Sequence, residues 1–154
     1  MSAWDKDCLY LLVEVTDATP MCNKNTGEWL WSGEAREIFV GTEEVDQGGP
    51  MLFSDRQIVV GCAANDSFYV PKVAEQPKIR SAVTRRSDGK GYVVEVHIPW
   101  SALGGVPKEN ATILFDLGID DAPANADRRA QLMWSGTARN SSDRSSWGRL
   151  TLVP

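Results

Sequence analysis

Apolar and polar residues alternate with a period of two along most of the chain, and no long helical stripe competes with that pattern. Leu9, Leu11, Val13 and Val15 face one way, with Tyr10, Glu14 and Thr16 opposite beside Leu12. Residues 36–41, 56–62, 67–70 and 79–85 give four shorter strands. Tyr92, Val94, Val96 and Ile98 form an apolar face with Glu95 and His97 behind it, and Ile113, Phe115, Leu117 and Ile119 repeat the scheme. Residues 130–135 and 148–153 read as closing strands. The run from Ser87 to Gly91 is a turn, and Pro99 to Leu103 followed by two glycines is a single helical turn. Short strands with one apolar face each, separated by Gly, Pro, Asn and Asp, predict an all-β antiparallel sandwich, immunoglobulin- or jelly-roll-like, of about nine strands in one domain over 1–154. Trp100 and Trp147 read as core.

Composition narrows the function classes. Hydrophobic residues are 42% and charged residues 24% of the 154, enough for a packed core. A net charge of −5 leaves no basic footprint for nucleic acid or anionic lipid. No apolar run approaches the length of a membrane span, and the N-terminus lacks the charged-then-apolar order of a signal peptide, so neither is expected in this chain. Three cysteines, none in a CxxC pair, argue against a zinc site.

The stretch from Trp31 to Gly41 places an aromatic six residues ahead of Glu37, which opens an apolar strand. A flat ring covers the C–H face of a pyranose, and a carboxylate accepts from two hydroxyls. Glu37 also reads as an ordinary solvated strand carboxylate. Of Trp29 and Trp31, one is expected to pack into the core. Arg129, Gln131, Asn140 and Arg144 carry planar groups that match vicinal hydroxyls, although loops use the same residue types to satisfy their own backbone. Gln57, on the Val59 side of its strand, is a weaker candidate of this kind. Asp116, Asp120 and Asp121 end one strand and Asp17 follows another; such oxygen clusters bind calcium, and Asp also caps turns.

Taken in order, Trp4-Asp5, Leu9 to Asp17, Trp31, Glu37 to Val40, Gly91 to Leu103, Phe115 to Ala122 and Trp147 to Leu152 are similar to carbohydrate-binding module family 9, a relative of the DOMON-type sugar- and haem-binding sandwiches. The resemblance spans nearly the whole chain. It implies non-catalytic binding of a glycan or glycan end, as a module attached to a catalytic domain in a longer protein or as a stand-alone protein, in an extracellular or periplasmic setting, and it permits structural calcium. Two departures stand out. The family's N-terminal strand before the Trp-Asp stretch is missing, which implies an open sheet edge. Trp31 matches the first of two tryptophans that clamp a sugar, but the second position, within Asn140 to Arg144, offers no ring; Asn140 matches a polar contact of that loop. With one platform, weak binding is expected.

Rival readings rest on fewer residues. Glu37 and Glu95 would have to face each other to hydrolyse a glycoside, and nothing places them so. His97, the only histidine, would need Met21, Met51 or Met133 as partner for haem ligation in an electron-transfer domain, a cofactor the strand phase disfavours. A scaffold or adhesion domain that has lost sugar binding is the third reading.

Overall fold

The computed structural model describes residues 1–19, 21–105, 107–124 and 126–154. Among the described residues ten strands form two antiparallel sheets. Strands β1 (Ser2–Trp4), β2 (Cys8–Thr16), β6 (Arg80–Arg85) and β7 (Gly91–Pro99) make a four-stranded sheet in the order β1-β2-β7-β6. The second sheet runs β10 (Gly148–Thr151), β8 (Thr112–Asp121), β3 (Ala35–Gly41), β4 (Arg56–Gly61), β5 (Phe68–Tyr69), with β9 (Ala130–Met133) also paired to β8. No helix among the described residues is long and apolar enough to cross a membrane.

The alternation read from the sequence is the inner face of each sheet. Leu9, Leu11, Val13 and Val15 of β2 and Tyr92, Val94, Val96 and Ile98 of β7 pack against Ile38, Val40, Ile58, Val60, Ile113 and Phe115 from the opposite layer. Removing these side chains from water supplies the main drive for closing the sandwich. All nine expected strands are present. The tenth, β1, pairs Ser2, Ala3 and Trp4 with Leu11, Tyr10 and Leu9. Among the described residues, no named strand pairs with β2 beyond Leu12 on that side. The β6–β7 turn needs glycine at position 91, where φ is +138° and a Cβ would run into the Val15 carbonyl. Trp100 starts the expected single helical turn, Trp100–Leu103, and is buried.

Both faces of β3 are covered, and every residue from Ala35 to Gly41 is buried. Its inward side chains join the core. Phe39, on the outer face, packs with Leu114 and Trp147, so Trp147 is buried outside the sandwich interior rather than within it. That outer face of the six-stranded sheet carries the site.

Candidate carbohydrate-binding cleft

A cleft of about 550 Å³ crosses the outer face of the larger sheet. Its floor comes from alternate residues of neighbouring strands: Gln131 on β9, Glu37 and Phe39 on β3, Gln57 and Val59 on β4, and Tyr69 on β5. Register dictates this grouping, because Glu37 lies opposite Gly118 and Val59, and Phe39 opposite Gln57. Loops supply the rest of the lining: Trp31 and Glu28, Lys72, and residues of the 137–141 segment.

Trp31 stands on a 3-10 turn, Gly27–Ser32, that the sequence reading leaves as loop. Three-residue periodicity buries Leu30 and turns both neighbours outward: Trp29 is 59% exposed and Trp31 37%. The expectation that one of the two tryptophans packs into the core is therefore corrected. The Arg128 guanidinium lies over the Trp31 ring, 4.9 Å from its centroid, and fixes its plane.

The same guanidinium ties together a carboxylate pair held by shared donors. Arg128 Nη1 donates to Glu37 Oε1 at 2.9 Å and to Asp120 Oδ1 at 2.8 Å. Gln131 Nε2 bridges the same two oxygens at 2.9 and 3.0 Å, and Gln57 Nε2 donates to Glu37 Oε2 at 2.6 Å. Glu37 is thus a buried, oriented acceptor and not a solvated strand carboxylate. Among the described residues neither amide oxygen of Gln57 or Gln131 accepts a bond, so both remain available to hydroxyl donors. Burial, and next the Glu37 charge, raise Asp120 to about 7. Its Oδ2 is buried and has no hydrogen-bond partner among the described residues.

The 135–140 loop is fastened to the sheet by Asp116. Its carboxylate accepts from the Ser135 and Gly136 amides and from Asn140 Nδ2, at 3.0, 2.6 and 2.6 Å. Asn140 Oδ1 accepts the Thr137 amide. A Cβ on Gly136 would overlap Asn140 Oδ1 and Asp116 Oδ2, which is why glycine stands there.

Several expected site residues lie elsewhere. Arg129 pairs with Asp121 at 3.0 Å, outside the cleft, and its neighbour Arg128 takes the central place. Arg144 is 1% exposed and supports the fold beside Asp55 and the Glu43 carbonyl, so it is no sugar contact. Asn140 lines the cleft but is buried and occupied in holding the loop. The expected aspartate pool divides. Asp17 and Asp121 gather with Glu34, their oxygens within 4.8 Å of one another, whereas Asp116 serves the loop and Asp120 the cleft. Glu95 and His97 are exposed on the outer face of the other sheet. Glu37 therefore has no facing carboxylate in Glu95, and His97, edge-on to Tyr10, lies across the sandwich from Met51 and Met133, which pack beside Phe39. The sequence reading missed Arg128, Tyr69 and Lys72.

Residues 2–154 match the model of the carbohydrate family 9 binding domain-like family. The chain is 31% identical over 151 residues to endo-1,4-beta-xylanase A of Thermotoga neapolitana and 29% identical over 159 residues to exoglucanase XynX of Acetivibrio thermocellus. Each alignment covers 97% of this chain, which spans only 13% of either relative. The fold is similar to a family 9 carbohydrate-binding module of Caldicellulosiruptor kristjanssonii in complex with cellotriose, at 22% identity and a TM-score of 0.80, covering 99% of this chain and 72% of that one. A family 9 carbohydrate-binding module of the same organism in complex with glucose gives 21% identity and a TM-score of 0.79, covering 98% of this chain and 73% of that one.

Proposed function

Because the chain belongs to the carbohydrate family 9 binding domain-like family, a family of non-catalytic sugar binders, we propose that its cleft holds a glucose-type pyranose against Trp31. The observation that carries this is the half-exposed Trp31 ring beside Glu37, a carboxylate already oriented by Arg128, Gln57 and Gln131. The ring covers the apolar face of a sugar, and Glu37 with the two glutamine amides reads the hydroxyls at its rim. Glucose and cellotriose, the ligands of the similar modules, are the first sugars to try. The chain itself performs no hydrolysis on this reading; it serves an attached catalytic domain by holding polysaccharide outside the cytoplasm.

Calcium has a place in the same proposal. Asp17, Glu34 and Asp121 offer the hard oxygens that calcium prefers. Burial first of all raises Glu34, and the charges of Asp17 and Asp121 add to it, a repulsion that a divalent cation relieves.

Calorimetric titration tests the sugar proposal. Loss of one ring face forfeits about 1–2 kcal/mol of apolar contact. Trp31→Ala is therefore expected to weaken glucose and cellotriose binding roughly five- to thirty-fold while the folded circular dichroism spectrum persists. Unchanged affinity, or no binding of any glycan by the parent protein, contradicts it; the latter favours a scaffold role.

A further inference from the structure

A second hollow of about 300 Å³ opens beside the first, and the two share Gln57, Pro71, Lys72 and Ser141 as common wall. Its far side is Phe53, 93% exposed and the most exposed aromatic among the described residues. The backbone on both sides of that ring is tied down. Asp55 Oδ2 accepts the Leu52 amide at 2.8 Å, and Arg56 Nη1 donates to the Phe53 and Asp55 carbonyls at 2.8 and 2.9 Å. Asp55 is itself buried beside Arg144. A fixed loop that presents a bare ring to water gains nothing for folding.

Lys72 stands at the junction with φ at +60°, a left-handed conformation that a residue with a Cβ adopts only at a cost. Its loop is closed by Gln76, which accepts the Val70 amide and donates to the Val70 carbonyl. Among the described residues Lys72 makes no ion pair, so its ammonium is free to meet a ligand where the two hollows join.

Building on the carbohydrate reading of the first cleft, we propose that the site is a two-compartment groove for a β-linked gluco-oligosaccharide. One pyranose lies on Trp31 and a further unit lies on Phe53. Lys72 donates to hydroxyls between them. Aromatic platforms at the two ends let a chain of pyranoses add apolar contact unit by unit, which a single platform cannot do. The groove thereby discriminates by chain length as well as by hydroxyl stereochemistry.

Titrations with glucose and cellotriose on the parent protein, Phe53→Ala, Phe53→Tyr and Trp31→Ala separate the parts. The parent is expected to bind cellotriose about five- to thirty-fold more tightly than glucose, the worth of one aromatic contact. Phe53→Ala should abolish most of that advantage with glucose affinity unchanged, and Phe53→Tyr should keep it. A 93% exposed side chain makes misfolding of these variants no obstacle. Equal cellotriose affinity in the parent and Phe53→Ala overturns the second compartment, as does an equal loss for both sugars. Cellotriose binding untouched by Trp31→Ala overturns instead the first cleft and with it the groove.

Discussion

Asp120 makes stability depend on pH in a direction opposite to that of most carboxylates. Its side chain is fully buried, and its folded value of about 7 stands well above the ordinary 3.8. The native state therefore keeps its proton through a range in which the unfolded chain has lost it. Stability is full below the unfolded value and falls as pH rises, by about 1.4 kcal/mol per unit, until the folded value is passed. Between pH 4.5 and 7 this amounts to about 3 kcal/mol, and above 7 the loss levels off. Glu34 and Asp55 are also raised by burial and act with the same sign, so the parent curve alone does not isolate Asp120. Asp120→Asn does. Its oxygen accepts from Arg128 and Gln131 as the carboxylate does, and it carries no titrating proton. Urea denaturation of both proteins from pH 4.5 to 8.5 should show the stability difference moving by about 3 kcal/mol in favour of the variant as pH rises. Parallel curves across that range would refute a proton held on Asp120.

Three further expectations follow from the same geometry. Arg128→Ala strands the Glu37 and Asp120 carboxylates and frees the Trp31 ring, and should weaken glucose and cellotriose binding about tenfold or more by titration calorimetry, whereas Arg129→Ala should change it less than about twofold. Gly136→Ala forces the Asp116–Asn140 clasp apart and should cost about 1–3 kcal/mol in denaturant melts, with a parallel loss of binding as residues 137–141 move. Excess calcium after EDTA should raise the melting temperature of the parent protein but not of a Asp17→Asn, Asp121→Asn double variant, since only native-state binding stabilises; identical transitions would return these residues to turn capping.

A period of two survives where one face of a strand is buried, as on β2 and β7, and makes those strands legible; β3, buried on both faces, is legible instead from its apolar run Ile38-Phe39-Val40. β1 escaped because three residues carry no period, although Trp4 closes the sandwich by donating to the Val153 carbonyl at 2.7 Å. Residue type does not separate Arg129 from its neighbour: both guanidinium groups match vicinal hydroxyls, and only the backbone path ahead of β9, which begins at Ala130, brings Arg128 into the cleft instead. On β8 alternation separates the aspartates: inward Leu117 and Ile119 put Asp116 and Asp120 on the outer face and leave Asp121 to the other side. Arg144 shows where residue type fails, because a guanidinium that fixes a buried loop looks in sequence like one that reads hydroxyls. Tyr69 and Lys72 come from segments remote in the chain, and only the β4–β5 pairing brings them to Trp31.

Trp31 and the glutamine amides beside Glu37 are the groups proposed to meet the sugar, and side-chain NMR during a cellotriose titration observes both at once. The chain has six indole N–H groups, and Trp31→Phe identifies the one at issue. The predicted result is movement of the Trp31 indole signal together with the side-chain amide signals of Gln57 and Gln131, while those of the buried Trp100 and Trp147 stay in place. Shifts confined to Trp134, or a saturating titration that leaves Trp31 and both glutamines unmoved, would contradict it.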